Sequence, residues 1–144
     1  MEIDLNKYLG KWFEIARIKN NFEPNMTNVT AYYKLLDDNT IQVTNSGYIN
    51  NQFKQIIGTA ITTNDNSVLK VSFYPHIYTE YKIIAIDKNY QYALIGSVNK
   101  NYLWILGRTT TITRETLNSF INIAKKYNYN TDKLIITENN EEKT

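Results

Sequence analysis

The sequence predicts an all-β protein: an eight-stranded antiparallel up-and-down barrel, with one C-terminal α-helix packed outside it and a short final strand. Three observations carry this expectation. Eight successive runs alternate with a period of two, separated by turn residues, a spacing that suits an all-β sandwich or a barrel. The later runs are apolar on both faces. A single segment switches to helical spacing.

The first run is KWFEIARI (11–18), after a short N-terminal lead. A polar, proline-containing loop, 19–28, follows. In 29–36, Val29, Ala31, Tyr33 and Leu35 share one face, opposite Thr30, Tyr32 and Lys34. Asp37-Asp38-Asn39 is turn chemistry. Next, 40–47 places Ile41, Val43 and Asn45 opposite Gln42, Thr44 and Ser46. The runs 53–63, 67–74, 78–87, 90–98 and 102–108 follow, each ended by polar or Asn-containing turns. From 114 to 128 the apolar residues Leu117, Phe120, Ile121, Ala124 and Tyr127 recur at helical spacing. Thr113 suits the N-cap, Glu115 the first turn, and Lys125 and Lys126 the last. KLIIT (133–137) is the final strand.

Two apolar faces on one strand require two dry neighbours. Tyr81, Ile83 and Ala85 share a face opposite Ile84 and Ile86; Ala93 and Ile95 oppose Tyr92 and Leu94. Tyr102, Trp104, Leu106 and Arg108 oppose Leu103 and Ile105. One face serves a barrel interior and the other receives the helix. The inward set mixes large residues (Tyr33, Phe73, Tyr81, Trp104) with small ones (Ala31, Gly58, Ala60, Ala85, Ala93). These residues leave two interiors open: one packed solid, or one holding a small apolar ligand.

Composition narrows the function. The 144 residues suit one domain, 1–144, and 42% hydrophobic content supports a core. A net charge of +2, scattered in both signs, argues against a nucleic-acid partner. Without cysteine there is neither a thiolate metal site nor a Cys nucleophile, and the one histidine, His76, reads as a solvated loop residue. Nothing calls for a metal or a cofactor. The start, MEIDLNKYLG, lacks the apolar stretch of a secretory signal. Asn25-Met26-Thr27 and Asn28-Val29-Thr30 fit the glycosylation pattern, which chance explains in so Asn- and Thr-rich a chain.

Three stretches carry a family resemblance. Gly10-Lys11-Trp12, continuing as WFEIARI, resembles the G-x-W motif that opens lipocalins. YLWILGRT ends in Arg108, similar to the family's late-strand arginine. IAIDKNYQYALIG resembles the middle conserved region, without its T-D-Y triplet. Taken in order, these resemble the bacterial lipocalins, a group related to apolipoprotein D. The resemblance implies a barrel floor in which the Arg108 guanidinium lies across the Trp12 ring, beside Gly10. It implies a cell-envelope location, reached in that group through a leader ending at a lipid-modified cysteine. Neither feature occurs in these residues, which leaves a cytoplasmic location open. The glycine-containing turn expected after FYP is replaced by HIYTE.

The expected activity is non-catalytic binding and transport or storage of a fatty acid or lysophospholipid. Trp104 and Tyr81 correspond to inward positions that line the pocket in the resembling group. Strand parity adds Tyr33, Phe73, Ile83, Ile56, Val71, Ala31 and Tyr102. Glu14 shares parity with Trp12; it faces inward with a partner, or a bulge turns it out. The ligand's head group is expected at the mouth near 19–28. Peripheral membrane association and a homodimer are further expected partnerships. Two other functions stand beside this one: a barrel enzyme acting on a hydrophobic substrate, and a packed barrel serving as an interaction module.

Overall fold

The computed structural model describes residues 3–18 and 25–139. Its strands are β1 (Gly10–Ile18), β2 (Thr27–Leu35), β3 (Ile41–Ile49), β4 (Gln52–Thr62), β5 (Val68–Tyr74), β6 (Ile77–Ile86), β7 (Tyr92–Ser97), β8 (Leu103–Gly107) and β9 (Leu134–Ile136). Each of β1 to β7 pairs antiparallel with the next, and β1 bonds to both β2 and β8. That second pairing closes the barrel and removes its open edges.

β1 meets β2 along Gly10–Phe13 and then diverges from it. β9 occupies the freed side of β1, pairing with Ala16–Ile18. The chain beyond β9 reaches β2, where the Asn28 amide donates to the Glu138 carbonyl at 2.8 Å.

Among the described residues, two α-helices flank the strands. α1 (Leu5–Tyr8), a single turn that the alternation does not reveal, is capped by the Asp4 carboxylate and precedes β1. α2 (Arg114–Lys126) is capped by Thr113, whose hydroxyl accepts from the Thr116 amide at 3.2 Å. Phe120 and Ala124 of α2 are buried against Ile84, Leu94, Leu103 and Ile105, with Leu117 and Ile121 at the margin. Tyr127, expected in this stripe, caps the helix instead and is 49% exposed. The helix has ended there, so its periodicity no longer governs the side chain.

Strand bulges revise two parity assignments. Ile83 pairs with Ile95, but Ala85 pairs with Leu94, so β6 carries one extra residue. Beyond that bulge the faces exchange. Ala85 therefore packs outside with the α2 cluster, and Ile86 joins the interior beside Trp12 and Ala93. β1 is shifted in the same way: Glu14 pairs with Leu106 and Ala16 with Ile105. Arg17 then lies opposite Trp104, on the inner face.

Candidate functional site

One end of the barrel is shut. Trp12 is fully buried there, and its indole N–H donates to the Tyr8 carbonyl at 2.8 Å. The Arg108 guanidinium carbon stands 3.7 Å from the Trp12 ring centroid. Its nitrogens donate to the carbonyls of Tyr90, Lys11, Lys7, Tyr8 and Leu9 at 2.8–3.3 Å. A planar five-donor cation does this work; an ammonium cannot. Gly10 sits at φ +101°, a conformation L side chains rarely adopt, and brings the chain past the guanidinium. So Gly10, Trp12 and Arg108 meet at one floor.

Above that floor lies a cavity of about 500 Å³, within the range that takes a small apolar ligand. Among the described residues, it opens between the β3–β4 and β5–β6 hairpin tips, where Lys54, Tyr74 and Ile77 are both lining and exposed. Trp104, Tyr81, Tyr33, Phe73, Ile83, Ile56, Val71 and Ala31 all line it. Tyr102 does not. It precedes β8, where its amide donates to the Ser97 hydroxyl at 2.9 Å, and its ring stacks on Trp104 at 5.9 Å and 15°. It backs the Trp104 ring instead of facing the cavity.

The origin of the space differs from the expectation. Of the five small residues assigned inward, Ala31 alone borders the cavity. A Cβ on Gly58 would stand 2.6 Å from the Phe73 ring, so that gap is already filled. Ala60 and Ala93 are fully buried in packed clusters lower down. The void belongs to the upper barrel.

Its walls differ in polarity. Val71, Phe73, Ile83, Ile95 and Trp104 form an apolar side, while Asn45, Ser46, Lys54 and Gln55 lie on the β3–β4 side. Glu14 also faces the cavity, 3% exposed. The bulge that brings Arg17 inward supplies its partner, at 2.7 Å, and the Thr137 hydroxyl donates to the same carboxylate oxygen. Sequence parity misses Arg17 because an unbroken strand would point it away from Glu14. It also misses Tyr8, which reaches the cavity from α1. Lys54 and Thr79 were findable by continuing the alternation from Ile56 and Tyr81.

Burial pushes the Tyr81 phenol up to about 12, aided by Tyr102 and Tyr33. It raises Tyr33 and, more strongly, Tyr8, whose neighbour Tyr33 adds to the effect. These phenols stay neutral and present hydrogen-bonding tips in an apolar enclosure. His76 is exposed in the β5–β6 turn at φ +67°, the place a glycine usually takes. Within loop 19–28, residues 19–24 lie outside the described residues, and with them most of the expected head-group position.

A family described as a lipocalin-like domain matches residues 3–139. The chain is 38% identical over 142 residues to the outer membrane lipoprotein Blc of Vibrio cholerae, across 95% of this chain and 83% of that one. It is 41% identical over 136 residues to the Blc lipoprotein of Citrobacter freundii, across 92% and 77%. The crystal structure of the cockroach allergen Per a 4 superimposes with a TM-score of 0.77 at 22% identity, covering 96% of this chain and 89% of that one.

Proposed function

The chain belongs to the lipocalin family, in the group that includes the Blc lipoproteins, and from that premise we propose a non-catalytic carrier of fatty acids or lysophospholipids. Family membership supports the coarser statement, binding of a hydrophobic small molecule. The observation that carries the finer one is the cavity itself: about 500 Å³, apolar on one side, polar at its lip, and open to water at one end.

The mechanism is burial. At about 0.8 kcal/mol per methylene, a 16-carbon tail gains roughly 13 kcal/mol gross. Ordering costs remove much of this, leaving affinities on the order of micromolar to nanomolar. Glu14 is held by Arg17 and Thr137, which commits its carboxylate to the cavity wall.

The mouth also supports loading from a lipid surface. Phe53, Tyr74, Ile77 and Tyr78 on the two hairpin tips are 53–62% exposed. Tyr74 and Ile77 line the cavity as well, so apolar surface runs unbroken from the rim inward. Exposed apolar patches of this kind suit a membrane interface, where tyrosine is favoured. A cell-envelope setting, like that of the outer membrane lipoproteins Blc, accords with this reading.

Titration of delipidated protein with a lysophospholipid, followed by tryptophan fluorescence, tests the carrier. A saturable change with one site per chain is expected. A flat titration in protein shown by mass spectrometry to hold no lipid would overturn the reading.

A further inference from the structure

Between Asp38 and Asp65 the chain carries one charged residue, Lys54. That interval is the β3–β4 hairpin, whose tip forms one lip of the cavity mouth. Inside the hairpin Ile41 pairs with Ala60, Val43 with Gly58, Asn45 with Ile56 and Gly47 with Lys54. The first residues of this series are buried in the barrel, so the alternation carries Lys54 onto the same inner face. A lone cation placed inward on an otherwise uncharged hairpin calls for an anion from elsewhere.

Among the described residues, Glu14 and Lys54 alone bring formal charge to the cavity wall. Glu14 is matched by Arg17. Lys54 is exposed at the lip and has no carboxylate within 4 Å among the described residues. One pleat deeper, half-buried Asn45 offers an amide on the same wall. The opposite wall, with Val71, Phe73 and Ile83, carries no formal charge, only the neutral hydroxyls of Tyr74, Thr79 and Tyr81.

We propose that Lys54 selects anionic single-chain amphiphiles by pairing with their carboxylate or phosphate at the β3–β4 lip. This rests on the carrier reading above and refines it. The head group stays at the wet mouth, where its charge remains hydrated and Lys54 meets it. The tail crosses to the apolar wall and descends along Trp104 toward the neutral phenols of Tyr33 and Tyr8. The shared chemistry is a compact anion; carboxylate and phosphomonoester are separate arms of the test.

The test compares a fatty acid, a lysophosphatidic acid and a monoacylglycerol of one chain length, each below its micelle concentration. Calorimetric affinities are measured for the wild type, Lys54→Ala, Lys54→Arg and Lys54→Glu. Lys54→Ala should weaken at least one anion roughly fivefold, the scale of a part-exposed ion pair, and leave the monoacylglycerol within about twofold. Lys54→Arg should retain anion affinity, and Lys54→Glu should lose more than Lys54→Ala does. The anion that responds identifies the head group. Equal weakening of all three ligands, or none, overturns the role of Lys54. A wild type that binds the monoacylglycerol and neither anion does the same while sparing the carrier. Saturable binding of no amphiphile would overturn both.

Discussion

One guanidinium, that of Arg108, gathers five backbone carbonyls and covers the Trp12 ring. Arg108→Lys keeps the charge but loses the fork and the stack, so it should cost about 2–3 kcal/mol in chemical denaturation. Arg108 does not line the cavity, so ligand affinity should stay within about twofold. A stability change below about 0.5 kcal/mol would reject this account of the floor. The buried phenols make a second prediction at this scale. Tyr81 keeps its proton to about 12 in the fold but ionises near 10.0 once unfolded. Below pH 10 both states hold the proton and stability does not depend on it. Between those values the unfolded chain binds fewer protons, so stability falls as pH rises. Denaturation midpoints should therefore decline above pH 10, and Tyr81→Phe should make that decline shallower. A midpoint constant through that interval, in the wild type, would contradict the burial.

At the scale of elements, α2 is amphipathic, capped, and docked by a small set of contacts. Gly96 of β7 matters to it for a reason outside the helix. A Cβ there would stand 2.5 Å from the Tyr129 hydroxyl oxygen and 2.6 Å from the adjoining ring carbon. Tyr129 follows α2 and donates to the Ser97 carbonyl at 2.7 Å, pinning the helix end to the barrel. Gly96→Ala should cost about 1–3 kcal/mol through overpacking, and hydrogen exchange should speed up in α2 before the barrel strands. Uniform exchange across helix and barrel would show that the helix is not held there. The bulges in β1 and β6 act at the same scale. Each inserts one residue, and each thereby chooses which side chains meet inside: Arg17 with Glu14, and Ile86 with Ala93.

The whole molecule has two unlike ends. One is sealed by α1, Trp12 and Arg108; the other presents a cavity ringed by apolar hairpin tips. Phe53 and Tyr78 belong to that ring without lining the cavity. Phe53→Ser with Tyr78→Ser should therefore reduce cosedimentation with phosphatidylcholine vesicles severalfold while leaving ligand affinity in solution unchanged. Vesicle binding equal to that of the wild type would reject the lipid-surface reading. A concentration-dependent dimer abolished by the same changes would assign the rim to a second copy instead.

Period-two alternation marked an all-β sandwich or barrel, and the two-sided strands, the one helical stripe and the family resemblance together pointed to a barrel with an outer helix, because each strand's pattern reports its own dry faces. The resemblance to lipocalins, and not spacing alone, pointed to Gly10, Trp12 and Arg108 as one floor. Of the nine residues expected to line the cavity, eight border it: Trp104 and Tyr81 from the family resemblance, and six by parity, which holds wherever the register is unbroken. Tertiary structure decided the rest. A single inserted residue inverts every side chain beyond it, and no local pattern announced the bulges that turned Ala85 outward and Arg17 inward. Tyr102 failed as a lining residue because a turn held it behind Trp104, a contact set by the Ser97 hydroxyl. The cavity itself is a difference between the barrel's volume and what side chains from many strands fill. Small residues near the floor proved packed, and the space remained above them, where only the assembled strands could leave it.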